Sequence, residues 1–223
     1  MPASGRLPQR PVESGSLRER LRHVYWIGGG TGAGKSTMAR HLAARHGLLV
    51  YSTDQVMADH GNPCGALDCP YLDEFTAMDM DERWANRSPE VMLETFHWFR
   101  GEAFNLIVED LLRMPERPRV VAEGFRLLPQ LVRPLLAQPR QAVWLLPTPR
   151  LRLHALQSRG SLWQIASKTS DPPTALRNLL ERDRLFTERL REETNQLDLP
   201  VIETDTTMTE EALAEHVTKA FGL

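Results

Sequence analysis

The sequence predicts a doubly wound α/β domain in which a five-stranded parallel sheet carries helices on both faces. Three observations lead there. Short apolar runs alternate with longer helical stretches along the chain, the pattern of repeated βαβ crossovers. The first two runs lie within about 30 residues and enclose a glycine cluster and one helix, so they are expected to be parallel with a right-handed connection. At 223 residues, 41% hydrophobic and 25% charged, the chain has the length and composition of one well-buried soluble domain.

Residues 1–15 read as a flexible arm, rich in Pro, Gly, Ser and Arg and lacking the apolar core of a secretion signal; residues 16–223 read as the single domain. Ser16 and Glu19 have capping-box spacing for a short helix. Residues 23–27 (HVYWI) form the first strand, and the helix after the glycines spans 35–46, ended by Gly47 where a left-handed residue is wanted. Residues 48–53 (LLVYST) form the second strand. From 55 to 114 the pattern is helical, broken at 61–63 and restarted at Ser88-Pro89. Residues 119–122 form the third strand, 127–136 a short helix and 142–146 the fourth strand. Residues 151–199 are helical with a break at 167–173, and 201–203 form the fifth strand. Thr209 opens the last helix, with Glu210 and Glu211 in its first turn.

One segment carries specific chemistry. Gly29-Gly30-Thr31-Gly32-Ala33-Gly34-Lys35-Ser36 matches the P-loop pattern G-x-x-x-x-G-K-[ST] without a mismatch. Glycines permit the backbone angles that point successive amides inward, and the following helix aims its N–H groups and positive end at the same place. A triphosphate held by residues 29–37, Thr37 included, would meet Lys35 at its β- and γ-phosphates and Ser36 at its Mg²⁺. A glycine-rich turn before an ordinary helix is the bland alternative. Chance would produce the full pattern in roughly one of a thousand chains of this composition. Only three of the 27 basic residues are lysines (Lys35, Lys168 and Lys219), so a lysine at position 35 is informative.

With a strand before and a helix after, the arrangement resembles the nucleoside-monophosphate-kinase-like group of P-loop proteins. That group includes shikimate and gluconate kinases, chloramphenicol phosphotransferase and zeta-type toxin kinases. The likeness extends over roughly residues 23–222, although only the P-loop is specific and the rest matches by position. The resemblance implies a P-loop fold with a helical lid and a helical acceptor-binding insertion, ATP and Mg²⁺ as cofactors, and a small-molecule hydroxyl as phosphoryl acceptor. Asp54, directly after the second strand, stands where the group carries a catalytic aspartate; its competing role is a helix N-cap. Glu123, ending the third strand, stands where an acid holds the metal's water shell or the substrate, though an aspartate is the usual residue there. Arg126, two residues later in the chain than Gly124, is a candidate contact to acceptor or γ-phosphate. The lid falls at about residues 150–190, where Arg182 is the leading phosphate contact among Arg159, Lys168, Arg177 and Arg184.

Residues 46–82 hold eight acids and no Lys or Arg, which favours a neutral or cationic acceptor such as a nucleoside, a sugar or an amine-bearing natural product. Trp84, Phe96, Trp98 and Phe99 are candidates to line an apolar pocket, against the plainer reading that they are core. A net charge of −2 gives no general reason to bind nucleic acid or an anionic membrane, and no apolar run approaches a membrane span. The expected partner is therefore a small molecule, with the chain acting as a cytoplasmic monomer or homodimer. Cys64 and Cys69 read as reduced thiols, and with His60 they fall short of a zinc set. A kinase-like toxin, a regulatory ATPase and a nucleotide-sensing protein without turnover are the alternatives; Asp54 and Glu123 speak against the last.

Overall fold

In the computed structural model, residues 14–62, 65, 67–159 and 161–223 are described; most of the arm expected at 1–15, Cys64 and the side chain of Arg159 lie outside them. The strands are β1 (Val24–Gly29), β2 (Leu49–Ser52), β3 (Val120–Glu123), β4 (Ala142–Pro147) and β5 (Val201–Thr204). All neighbours pair in parallel in the order β2-β3-β1-β4-β5. β1 is therefore central, and the chain leaves it first toward one edge of the sheet and later toward the other. The carboxyl end of such a strand opens into a crevice.

The helices, in chain order, are α1 (Ser14–Arg20), α2 (Lys35–His46), α3 (Met57–Gly61), α4 (Pro70–Ala77), α5 (Met80–Trp84) and α6 (Pro89–Thr95). They continue with α7 (Phe104–Arg113), α8 (Pro129–Val132), α9 (Pro149–Arg159), α10 (Ser161–Ala166), α11 (Pro172–Gln196) and α12 (Glu210–Phe221). Strand side chains alternate between faces. Tyr25, Ile27, Val121, Val143 and Leu145 pack on Met38 and Leu42 of α2 and on Leu213 and Val217 of α12. Val24, Trp26, Ala122, Trp144 and Leu146 pack on Ile107 and Leu111 of α7 and on Phe186 and Leu190 of α11. Burial on both faces makes the strands nearly continuous apolar runs.

Three expectations need correction. Residues 127–136 do not form one helix: α8 gives way to a 3-10 turn at Arg133–Leu135, because Pro134 has no N–H to continue the ladder. Cys69 is buried and disulfide-bonded, not a reduced thiol. The third concerns the lid. Its expected range runs into the second half of α11, yet Phe186 and Leu190 there belong to the central core, fully buried beside Trp26 and Trp144. A moving cap must end before them.

The insertion between β2 and β3 meets the helices after β4 in a core of its own. Trp84 of α5 and Met92 of α6 pack with Leu162 and Ala166 of α10 and with Ala175 and Leu179 of α11. This cluster roofs the crevice at the carboxyl ends of the strands. No helix among the described residues is long and apolar enough to cross a membrane.

Leu190→Ala tests the reassignment of α11. Truncating a core leucine should lower stability by about 2–5 kcal/mol in urea unfolding, whereas a residue on a detachable cap would change it by less than about 0.5 kcal/mol.

Candidate active site

β1 delivers the chain into residues 29–36 at the centre of the sheet. Gly32 and Gly34 have φ of 80° and 86°, which glycine adopts without strain. Gly34 is the N-cap of α2 and no side chain caps that end, so the first-turn amides are left to a ligand. The loop is closely covered. A Cβ on Gly32 would sit 2.9 Å from Ala155 Cβ on α9, and one on Gly30 would sit 2.8 Å from Thr187 Oγ1 on α11. Lys35 is buried in the loop and its Nζ donates to Gly30 O at 2.8 Å.

Beside it lies Glu123, 1% exposed at the end of β3 and level with Ile27 of β1 and Ser52 of β2. The Ser36 hydroxyl donates to its Oε2 at 3.0 Å and the Ser52 hydroxyl to its Oε1 at 2.5 Å. These are hard oxygen donors. Among the described residues there is no cluster of three or more His, Cys, Asp or Glu able to cage a metal. Magnesium that arrives on a triphosphate keeps several waters and needs only one or two protein oxygens, which Ser36 and Glu123 fit.

Asp54 follows β2 at the edge of the same crevice. It is not the cap of α3, whose N-cap is Val56. Its side chain is open to solvent at that edge, yet the protein packed around it partly desolvates the carboxyl and lifts it above the usual range; Lys35 opposes that shift, Glu123 adds to it, and Thr53 and Arg126 oppose it more weakly. The close approach of β2 and β3 here depends on Gly124, at φ 147°: a Cβ would fall inside the Thr53 hydroxyl and lie 3.4 Å from Asp54 Oδ1.

Arg126, expected to face acceptor or phosphate, instead lies behind Asp54 and is 2% exposed. Its Nη1 donates to Thr53 O at 3.4 Å and to His60 Nδ1 at 3.2 Å, and its Nη2 to Ala103 O at 3.3 Å. Its guanidinium stacks 4.0 Å from the Trp98 ring. Because arginine can only donate, His60 Nδ1 accepts, and the proton sits on Nε2 facing Asp110 Oδ2 at 2.9 Å. Burial brings Arg126 down to about 10, still cationic at neutral pH. Asp110 is held below the usual carboxylate range: burial pushes it up, but hydrogen bonds from Tyr51 and His60 outweigh that. Arg126 thus pins the backbone of Thr53, next to Asp54, without reaching the crevice.

The lid candidates separate by partner. Arg184 pairs with Glu181 and Glu188, Arg177 donates to Thr174 at 3.0 Å, and Lys168 is exposed. Arg182 turns inward and is 7% exposed; its Nε and Nη2 donate to Asp183 Oδ1 at 3.1 and 2.7 Å, and its Nη1 is buried without a partner. It lines a cavity of about 240 Å³ with Phe75, Trp84, Phe96, His97 and Trp98, and Thr31 of the P-loop forms one wall. The four aromatic residues singled out in the sequence do line a pocket, but none of the eight acids of residues 46–82 does. Two features went unnoticed. Arg152 of α9 has its Cα within 4.0 Å of a Cβ on Gly32, and burial depresses its pKa while Asp183 opposes that. A second cavity, about 190 Å³, runs along Gly34 and Thr37 to Leu151, Asp205 and Met208. Arg152 stands in the expected lid, yet its short spacing from β4 gives no cue; the second cavity is assembled from three separate stretches of the chain.

Neither a protein-family model nor a curated protein matches the sequence. Solved structures that resemble it include deoxyadenosine kinase from M. mycoides with bound dATP, at 12% identity and TM-score 0.48, covering 90% of this chain and 99% of that one. Shikimate kinase from Acinetobacter baumannii in complex with shikimate is similar at 18% identity and TM-score 0.43, over 92% of this chain and 93% of that one.

His97, 3% exposed in the larger cavity, is lowered from 6.5 to about 4 by burial, with Arg126, Arg182 and Arg83 adding to the effect. The unfolded chain takes up this proton near pH 6.5 and the folded chain only near pH 4, so unfolding binds a proton between those limits. Stability should fall as pH drops through that window, by up to about 1.4 kcal/mol per unit from this residue, and level off below it. In urea unfolding followed over pH, His97→Gln should lose that part of the slope relative to the parent.

Proposed function

We propose that the chain is an ATP-dependent phosphotransferase that moves the γ-phosphoryl group of ATP-Mg²⁺ to a hydroxyl of a small molecule. One observation carries the reading. The carboxyl ends of β1, β2 and β3 bring together a glycine-rich loop with Lys35, the Ser36–Glu123 oxygen pair, and Asp54 with a raised pKa. A nucleotide-sensing protein would have use for the first of these and none for the last.

In this proposal the adenine lies in the cavity between Leu151 and Met208, and the triphosphate lies along residues 29–37. Lys35 gives up its bond to Gly30 O for β- and γ-phosphate oxygens, and Arg152, whose backbone lies over Gly32, is a second candidate cation. Ser36 and Glu123 would hold Mg²⁺, directly or through water, and the ion would supply positive charge to offset that of the phosphates. The acceptor hydroxyl enters from the aromatic cavity beside Thr31, and its proton passes to an Asp54 carboxylate oxygen as the new O–P bond forms and the bond to the ADP oxygen breaks. A raised carboxyl pKa makes a better base provided the group still ionises, and Lys35 favours the ionised form. Helices α9 and α11, lying across Gly32 and Gly30, limit the water that would otherwise take the phosphoryl group. The acceptor is a small molecule, with no role for nucleic acid or membrane, and a cytoplasmic setting fits the nucleotide it would use.

Lys35→Ala should lower ATP affinity or turnover by at least about tenfold. If a folded variant binds and turns over ATP as the parent does, the reading is wrong. Asp54→Asn keeps shape and removes the base. It should slow transfer by about 10²–10⁴ while nucleotide affinity, measured by calorimetry, stays near that of the parent.

A further inference from the structure

We propose that the acceptor is a planar-ring alcohol, uncharged or anionic, that presents a carboxylate or carbonyl oxygen to Arg182 in the aromatic cavity beside Thr31. The proposal rests on the phosphotransferase reading for the word acceptor, and on the cavity itself for the chemistry. Of the neutral or cationic acceptors that the acid-rich segment suggests, it keeps the neutral and drops the cationic.

The shape comes first. At about 240 Å³ the cavity is smaller than the roughly 300–1,000 Å³ of drug-sized sites, so it suits one ring system with short substituents. Its walls are mostly flat: Phe75, Trp84, Phe96, Trp98, Phe99 and Phe125 all contribute. Rings packed edge to face with one another offer slots for a further ring more readily than for a branched aliphatic group.

Charge decides the rest. An aromatic cage often marks a site for cations, because ring faces attract positive charge. Here the protein's own guanidiniums already hold those faces. Arg182 lies 5.3, 4.9 and 5.3 Å from the rings of Trp84, Phe96 and Phe99. Arg83 lies 4.8 Å from Phe75, and Arg126 4.0 Å from Trp98. No carboxylate lines the cavity. Asp183 balances Arg182 through Nε and Nη2 only. The field is positive enough to help hold His97 unprotonated down to about pH 4. A protonated amine entering this space would meet fixed positive charge and no counter-ion.

Two polar groups remain unused. Arg182 Nη1 and His97 Nδ1 are both buried and without a hydrogen-bond partner, in side chains 7% and 3% exposed. A buried donor left unmade is costly, and a guanidinium N–H more so than a neutral one, so such a pair is expected where a ligand completes it. The matching ligand atom for Arg182 is an oxygen acceptor. Thr31 at one wall directs the hydroxyl end toward the P-loop, and Phe125 places that end beside Gly124, against which Asp54 sits.

The test uses the full chain and three probes that differ only in one substituent: 4-(hydroxymethyl)benzoate, 4-(hydroxymethyl)benzamide and 4-(hydroxymethyl)benzylamine. Trp84 and Trp98 report occupancy by fluorescence, with no need for turnover. The benzoate and benzamide should bind at least about tenfold more tightly than the benzylamine. Arg182→Met should bring the three within about threefold of one another, and Ile165→Phe, which enlarges another lining side chain, should weaken all three. Affinity for a fluorescent ATP analogue should persist in both variants. If Arg182→Met does not fold with Asp183 unpaired, the double variant R182M/D183N replaces it. Equal or tighter binding of the benzylamine, no binding of any probe, or benzoate affinity unmoved by both variants would overturn the proposal. ADP formation with each probe is read separately. Charge-selective binding without ADP would count against the phosphotransferase reading and leave the cavity's preference standing; ADP formation without charge preference would do the reverse.

Discussion

A buried carboxylate needs donors, and the crevice is organised around one that has them. Glu123 is almost without solvent contact at the end of a central strand, and its two oxygens are held by hydroxyls from Ser36 and Ser52. Leaving such a charge unpaired would cost several kcal/mol. The bonds therefore fix three separate elements against one another: the start of α2, the end of β2 and the end of β3. Once they are fixed, Lys35 and Asp54 have settled places, because each lies within two residues of one of those serines. Gly124 is the steric half of the same constraint. Only a residue without a Cβ lets Thr53 and Asp54 close against β3.

Legibility followed distance along the chain. The P-loop was readable because its geometry is local: its glycines, lysine and serine do their work within eight consecutive residues, and the strand and helix that frame it are equally local. The alternation that places Ile27 and Trp26 on opposite faces is local too, so the parallel sheet could be anticipated. Sequence position gives the neighbourhood of Arg126 and Arg182 but not their contacts: Arg126 is turned away into buried hydrogen bonds, and Arg182 shares a cavity with Thr31. Position after a strand or on a helix says where a side chain starts; what it touches depends on Ala103, Asp183 and the rings of Trp98 and Phe96, which arrive from elsewhere. The acids of residues 46–82 lie outside the lining of the aromatic cavity, since a charged stretch near a cavity in sequence need not line it.

The roof over the crevice explains why the two helical additions have to be read together. Trp84 and Met92 come from the insertion before β3, while Leu162, Ala175 and Leu179 come from the helices after β4, and they form one cluster. Any motion that opens the crevice must separate these side chains or carry them as a unit. The second half of α11 cannot join such a motion, being held by Phe186, which stacks on Phe99 at 3.8 Å, and by Leu190. A boundary therefore lies within α11, between Leu179 on the roof and Phe186 in the core. Arg182 and Asp183 stand between them, which places the cavity's unused guanidinium N–H between the roof cluster and the central core.

That position clarifies the lopsided choice of cation. Three lysines among 27 basic residues is a strong bias, and at the crevice it has a physical reason. A lysine buried among aromatic rings readily loses its proton, whereas arginine keeps its charge: even Arg126, wholly enclosed, falls only to about 10. Arginine also spreads its donors over a plane that stacks on a ring while bonding at its edges, as Arg126 does between Trp98 and the carbonyls of Thr53 and Ala103. Burial keeps His97 from charging and the permanent positive field adds to that effect, while on Asp54 Arg126 opposes the upward shift only weakly. Lys35 is the exception because its task differs. A compact ammonium on a flexible stem can exchange a backbone carbonyl for phosphate oxygens as a ligand enters, which a guanidinium locked on a ring cannot do.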